Sequence, residues 1–379
     1  MIDLHRSKIT SSIFNDITDP RSSKNSQHLL IEMIIITICA VICGADGWED
    51  IVTFAKEREV WLRKYLTLPY GIPCDDTFRR VFSRLNPEEL QSCFRRWVRA
   101  VFRFTGKQVV AIDGKSLRRS FEDGKDKNKG MLHMVSAWAA ENELVLGQVK
   151  TSEKSNEITA IPELLNLLAI EGCIVTIDAI GCQKKIAEQI FNQKADYVLA
   201  VKENQKTLYD SLCKTFQQAK TLQFQNMVYD QCEEVDAGHG RIETRKCIVL
   251  PLMYLHHFKL KWKGLQSLIL IESQREINGH IESEQRYYIS SIPLNANLIM
   301  TSIRQHWGIE NRLHWVLDVV FREDDSRIRK DYGAENFAVI RHIALNLLKQ
   351  EKSNKFSLKR KIYMATLGTE YLEKILEIV

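Results

Sequence analysis

Val109-Val110-Ala111-Ile112-Asp113-Gly114 and Cys173-Ile174-Val175-Thr176-Ile177-Asp178 are the two stretches on which the fold turns. Each is a short apolar run rich in β-branched residues, closed by an aspartate and followed soon by a glycine, Gly114 or Gly181. Runs this short and this rich in Val and Ile read as buried strands of a mixed sheet. A carboxylate leaving the end of such a strand stands where open α/β sheets place their ligands. Two of them on neighbouring strands would bring like charges together, which is tolerable when a divalent cation lies between them. The pair reads as a carboxylate metal site.

The elements around these runs have an α/β order. After Asp113 come a basic stretch, Lys115, Arg118 and Arg119, and a polar loop from Glu122 to Lys129. His133–Ala139 and Leu144–Lys150 flank Glu141-Asn142-Glu143 and predict a hairpin. Asn156 is placed to cap a helix whose apolar face is Ile158, Ile161, Leu164, Leu165 and Leu168. The second Asp strand follows, then a helix from Gln183 to Phe191 and a strand from Tyr197 to Val201. Strand, hairpin, helix, strand, helix, strand predicts a mixed sheet with flanking helices. Lys202 and Asn204, at the end of the last strand, are placed to face the same site.

Further on, Lys206–Lys220 is helical in pattern, and 227–270 holds β-like runs at Arg245–Leu250 and Leu265–Ser273. Tyr287–Ile292 reads as a strand, and Asn297–Val320 and Gly333–Lys349 as helices. Residues 1–104 are helical throughout. Asp75 or Asp76 should cap one helix, and Pro87 opens the next at its first turn. These two helices carry Arg79, Arg80, Arg84, Arg95, Arg96, Arg99 and Arg103, which in outline resembles a helix-turn-helix and equally suits a solvated face of a bundle.

Composition narrows the class. A chain of 379 residues is long for one compact core, and two or three domains are expected. With 45% hydrophobic and 27% charged residues it has the balance of a soluble globular protein. A net charge of +5 is mildly basic and compatible with a polyanionic partner. Nine cysteines without a C-x-x-C pair fit neither a zinc ribbon nor a disulfide framework, and read as reduced thiols. The apolar segment Leu29–Cys43 carries Glu32 and falls short of the roughly 20 residues of a membrane span. It reads as a buried helix, and the polar stretch Met1–Lys24 as no signal peptide. A cytoplasmic protein is expected.

A third carboxylate would complete a two-metal site. The best candidate lies in Ile303-Arg304-Gln305-His306-Trp307-Gly308-Ile309-Glu310-Asn311-Arg312-Leu313-His314, where His306, Glu310 and His314 recur every four residues and would share one helix face. A structural amphipathic helix and a His-Glu-His metal site are the alternatives. Asp318, Glu323, Asp324 and Asp325 are rival carboxylates at or past the helix end, where acidic residues are usually solvated.

Six segments then become specific together: Ala111–Lys115, Glu153–Ala160, Thr176–Gln183, Ala200–Gln205, His239–Arg245 and His306–Asn311. With these the chain resembles, over almost its whole length, the H-repeat-associated insertion-sequence transposases, a branch of the DDE transposases. The resemblance implies an RNase H-like catalytic core at 105–209 and 286–350, a helical N-terminal domain at 1–104, a β-rich insertion at 210–285 and a C-terminal tail at 351–379. It implies Asp113, Asp178 and Glu310 as catalytic and metal-binding residues, with two Mg²⁺ ions for which Mn²⁺ would substitute. Double-stranded DNA, at inverted-repeat ends and at a target, would be the partner of a homodimer. Lys115, Arg118 and Arg119 could hold phosphates, and Arg241 and Arg245 belong to the insertion expected near the cleaved bond. Where related transposases carry Tyr, Arg and Lys around the Glu, this chain has Ile303, His306 and Leu317. Arg304, His306 and Arg312 are the candidate replacements. That departure keeps open a second expectation, a catalytically weakened, transposase-derived DNA-binding protein.

Overall fold

The computed structural model describes residues 11–22, 26–101, 107–118, 120, 132–151, 157–238, 241–277 and 280–377. The apolar segment forms helix α1 (Leu30–Ile42), buried along nearly its whole length. Its one carboxylate, Glu32, is accommodated because it accepts hydrogen bonds from the backbone N–H of Thr67 and Leu68 at 2.7 and 3.0 Å. No helix among the described residues is long and apolar enough to cross a membrane. Helices α2 (Trp48–Glu57), α3 (Glu59–Leu62), α4 (Asp75–Arg84) and α5 (Pro87–Val101) follow. Neither Asp75 nor Asp76 caps α4: Cys74 holds that position, and both aspartates lie in the first turn. There Asp76 pairs with Arg79 and, at 2.9 Å, with Arg80. Arg96 pairs with Asp16, and Arg99 donates to the carbonyl of Leu167 at 2.6 Å. Several of the arginines that suggested a DNA face are thus engaged within the chain.

Strand β1 (Val109–Leu117) pairs antiparallel with β2 (Leu132–Ala139), and β2 with β3 (Leu144–Thr151). After α6 (Glu157–Leu167), strand β4 (Ile174–Ile177) returns parallel to β1. Helix α7 (Lys184–Asn192) carries the chain to β5 (Asp196–Val201), parallel to β4. The order β3-β2-β1-β4-β5, three antiparallel strands and then two parallel ones, is the RNase H-like sheet.

Helix α8 (Lys206–Thr221) then leads to four long strands: β6 (Asp230–Gly238), β7 (Arg241–Pro251), β8 (Ser267–Ile277) and β9 (His280–Ser290). β9 pairs antiparallel with β5, so these strands extend the same sheet to nine, ending at β6. In β7, β8 and β9 only the half nearest β5 is buried; the other half projects as a largely exposed ribbon. Helix α9 (Ala296–His306) packs across β1, β4 and β5 and reaches β6 and β7. The segment expected as one helix to Val320 is interrupted: Glu310–His314 is π-helical, and α10 (Trp315–Val319) resumes after it.

Helix α11 (Gly333–Gln350) is buried on all sides, against α1, α4, α5 and β3, before α12 (Leu358–Leu367) and α13 (Thr369–Glu377). A helix so placed needs partners for its buried polar groups, and its two asparagines find them in backbone. Asn336 donates to the carbonyls of Phe82 and Leu85, both at 2.8 Å. Asn346 accepts from the N–H of Val145 and donates to its C=O, both at 2.9 Å, closing the outer edge of β3 where the sheet would otherwise have a buried, unpaired rung. Asn346→Leu should therefore lower unfolding free energy by about 2–6 kcal/mol, one to three for each of the two groups left bare, as measured by urea titration. A change below 0.5 kcal/mol would show that the edge is satisfied some other way.

Candidate active site

The last paired rung between the parallel strands β1 and β4 is Ile112 with Ile177. Asp113 and Asp178 come next in the chain, so sheet geometry delivers the two carboxylates side by side; β1 does not end at Asp113 as expected but runs on to Leu117, because β2 continues to pair with it. Asp178 is further fixed by a tight turn in which its Oδ1 accepts from the N–H of Ile180 at 3.1 Å and of Gly181 at 3.4 Å. Asn204 sits beside it, donating to the carbonyl of Ala179 at 2.5 Å.

Electrostatics show the strain of this arrangement. Burial, with the neighbouring Asp178 charge next and Glu310 and Glu157 behind it, pushes the Asp113 carboxyl up to about 7. Burial also raises Asp178; Glu157 adds to the shift and Lys202 opposes it. Glu310 lies exposed at the first position of the π-helical segment. Such one-turn bulges re-aim the side chains that follow, and are frequent at functional sites. The two histidines expected to share its face are instead turned inward. His306 hydrogen-bonds Thr176 through Nδ1 at 3.0 Å, and burial pushes its imidazole down to about 4. His314 Nδ1 lies 3.5 Å from Asp113 Oδ2, and burial, with Lys115 second, pushes it down to about 3. Both are neutral near pH 7.

The donor chemistry suits a hard divalent cation: carboxylate oxygens, crowded and desolvated, with no cation of the protein bound to either aspartate by an ion pair among the described residues. Among the described residues no three His, Cys, Asp or Glu side chains, these included, are placed to hold one ion together. The His306–Glu310–His314 metal reading gains nothing from the structure.

The basic residues singled out in the sequence divide into two sets. Lys115 turns away from solvent into a buried cluster, where its ammonium meets Asp318 and, at 2.6 Å, Glu323. Glu323 is only 3% exposed, against the expectation of a solvated loop residue. Burial alone would raise its carboxyl, but Lys115 and then Arg341 hold it below the usual range. Arg118 is exposed and 3.3 Å from Asp324, while Arg119 lies outside the described residues. Arg312 pairs with Glu143 at 2.8 Å. Arg241, Arg245 and Arg304 line an open cleft between the β7–β9 ribbon and α9, with Glu310 on its wall. Arg245 contacts Glu243 at 2.6 Å, and Arg304 contacts Glu234. The cleft also holds Arg286, whose guanidinium lies 4.3 Å from the centre of the half-exposed Trp307 ring. Nothing in the strand pattern around Arg286 distinguished it from any other edge charge.

Two consequences are measurable. Between its ordinary value of 3.8 and about 7, Asp113 holds a proton in the folded chain that the unfolded chain has released, so stability falls as pH rises through that window. Without added metal, Asp113→Asn should raise Tm above wild type at about pH 8 and leave it unchanged at about pH 4; a constant difference would refute the shift. Lys115→Met, which strands Glu323, should cost about 3–5 kcal/mol in chemical denaturation, far more than a surface lysine.

Residues 104–347 match the family model described as Transposase DDE domain, and 11–98 the one described as DDE_Tnp_1-associated. Over 95% of both chains, the sequence is 44% identical to "H repeat-associated putative transposase YhhI" of Escherichia coli strain K12. It is also 44% identical to "Putative transposase YncI" of Escherichia coli O157:H7, over 95% of this chain and 92% of that one. A solved synaptic complex of piggyBac transposase with hairpin DNA covers 98% of this chain and 78% of its own at 10% identity; its TM-score of 0.43 is too low to carry weight. The chain belongs to the DDE transposases, in the group of the H repeat-associated proteins.

Proposed function

We propose that this protein is the transposase of an insertion sequence, cleaving phosphodiester bonds at terminal inverted repeats and joining the freed ends to target DNA, with Asp113, Asp178 and Glu310 as its catalytic carboxylates. The observation that carries this reading is the adjacency of Asp113 and Asp178 one residue beyond a paired rung, with Asp113 pushed up to about 7. Two carboxylates forced together out of water gain from a divalent cation what they lose in mutual repulsion.

Mg²⁺ binds through one or two carboxylates with substrate phosphate oxygens and water completing its shell, so a site of two rigid aspartates does not need to be closed before DNA arrives. When bound, a pair of such ions activates water or a DNA 3′-hydroxyl and stabilises the leaving oxygen. In this chain Asp113, Asp178 and Glu310 would be the carboxylates that hold them. Asp178 is held ready by its turn, whereas Glu310 stands at the start of a π-helical turn beside the cleft. His314, kept neutral, presents a dipole to Asp113 rather than a competing charge. The cleft arginines, Arg241 foremost, would track the phosphate backbone, and joining two ends requires two active sites, hence a dimer on DNA.

One observation favours a second reading, a DNA-binding protein with weakened catalysis. Ile303 and Leu317, which stand where related transposases carry Tyr and Lys, are buried apolar residues, and His306 is spent on Thr176. Incubation of the full chain with a duplex carrying its flanking inverted repeat separates the two. Nicked and joined products appear with Mg²⁺ or Mn²⁺ and vanish on chelation; Asp113→Ala, Asp178→Ala or Glu310→Ala each abolishes them without loss of DNA affinity or fold. Binding without products under either metal would favour the second reading. Arg241→Ala should weaken binding to all sequences alike and lower the slope of log affinity against log salt by about one.

A further inference from the structure

Successive residues of β1 face opposite sides of the sheet. Asp113 faces His314, and Gly114 faces the other layer, where α6 begins. There Glu157, the first residue of α6, is buried and receives His133 Nε2 at 2.6 Å. His133 is itself buried on β2, paired in register with Ser116, and its Nδ1 lies 2.9 Å from the Ser116 hydroxyl. Ser116, His133 and Glu157 thus form a chain that starts on the strand carrying Asp113 and ends on α6, against Gly114 of that strand.

The contact with Gly114 is close. A Cβ built on Gly114 would collide with Glu157 Oε1 and lie 2.6 Å from His133 Nε2. Gly114 does not have a positive φ, so its backbone is open to any residue. What requires glycine here is the space taken by the carboxylate and the imidazole. Resting on the proposed carboxylate site, the geometry points to Glu157 and His133 as positioning residues, whose hydrogen-bonded pair presses on the Cα of Gly114 and so sets the backbone step that aims Asp113. The charge of Glu157 also reaches both aspartates from behind the sheet. The arrangement matches the outer-sphere carboxylate–histidine pairs that orient metal ligands, whose loss costs about 10–100-fold in metal affinity.

The test is size complementation in the full chain. Mn²⁺ binding is read by calorimetry, Tm by scanning fluorimetry, and cleavage with an end duplex. Gly114→Ala should lower Mn²⁺ affinity by about tenfold or more, with cleavage reduced in step. Adding Glu157→Asp, which shortens the obstructing side chain but keeps a carboxylate for His133, should restore affinity to within about threefold of wild type, a recovery of the same order as the loss. Glu157→Gln, which keeps the shape and a hydrogen bond, should fold with a Tm near wild type and bind Mn²⁺ more weakly. Should Gly114→Ala fail to fold, restoration of Tm by the double variant still reports the contact, and lack of restoration overturns it. Normal Mn²⁺ affinity in Gly114→Ala, or a double variant no better than the single, overturns the positioning role alone. A wild-type chain that neither binds Mn²⁺ nor cuts overturns the metal-site reading, and this role with it.

Discussion

Two partly buried carboxylates, one residue beyond the last rung between adjacent parallel strands, set the terms for the rest of this molecule. The register of β1 against β4 fixes their separation, and a one-residue slip would send Asp113 to the opposite face. Much of the surrounding structure serves to hold that register. The Asp178 turn, the Thr176–His306 bond and the Glu157–His133 pair all grip β1 or β4 within a few residues of the aspartates. A site built on rigid strand ends is more sharply positioned than one built on loops.

The third carboxylate is held differently. Glu310 belongs to a helix that is broken by a π turn, and its side chain is exposed on the wall of the arginine-lined cleft. The two aspartates are set by the sheet, whereas the glutamate stands on an exposed helical turn at the cleft. Lys115 shows how strictly the interior is balanced. It follows the first aspartate by two residues, yet it serves to neutralise Asp318 and Glu323 in a pocket where an unpaired charge would be costly.

What the sequence disclosed follows from the reach of its signals. The β-branched runs closed by Asp113 and Asp178, the hairpin from His133 to Lys150 and the apolar helix at Leu30 were legible because strand alternation and helix spacing are local patterns. Two other features depend on partners distant in the chain and were not. Glu323 looks like a loop residue until Lys115 and Arg341 are seen around it. The continuity of β6–β9 with the core sheet rests on pairing between Val198 and Ser290, which no local pattern announces. The π turn failed for another reason: a period of four over His306, Glu310 and His314 fits an ordinary helix, and nothing in it signals the one extra residue that rotates the faces apart.

The two margins of the nine-stranded sheet meet different fates. On one side Asn346 blocks β3; on the other β6 is left with an unpaired row of backbone groups. An open margin of that kind invites a second chain to stack on and begin a fibre. β6 carries Asp230, Glu233, Glu234 and Asp236 within nine residues. Two such margins brought together would set these carboxylates, of which Arg304 offsets only Glu234 and Asp236, against each other, which disfavours stacking through this strand.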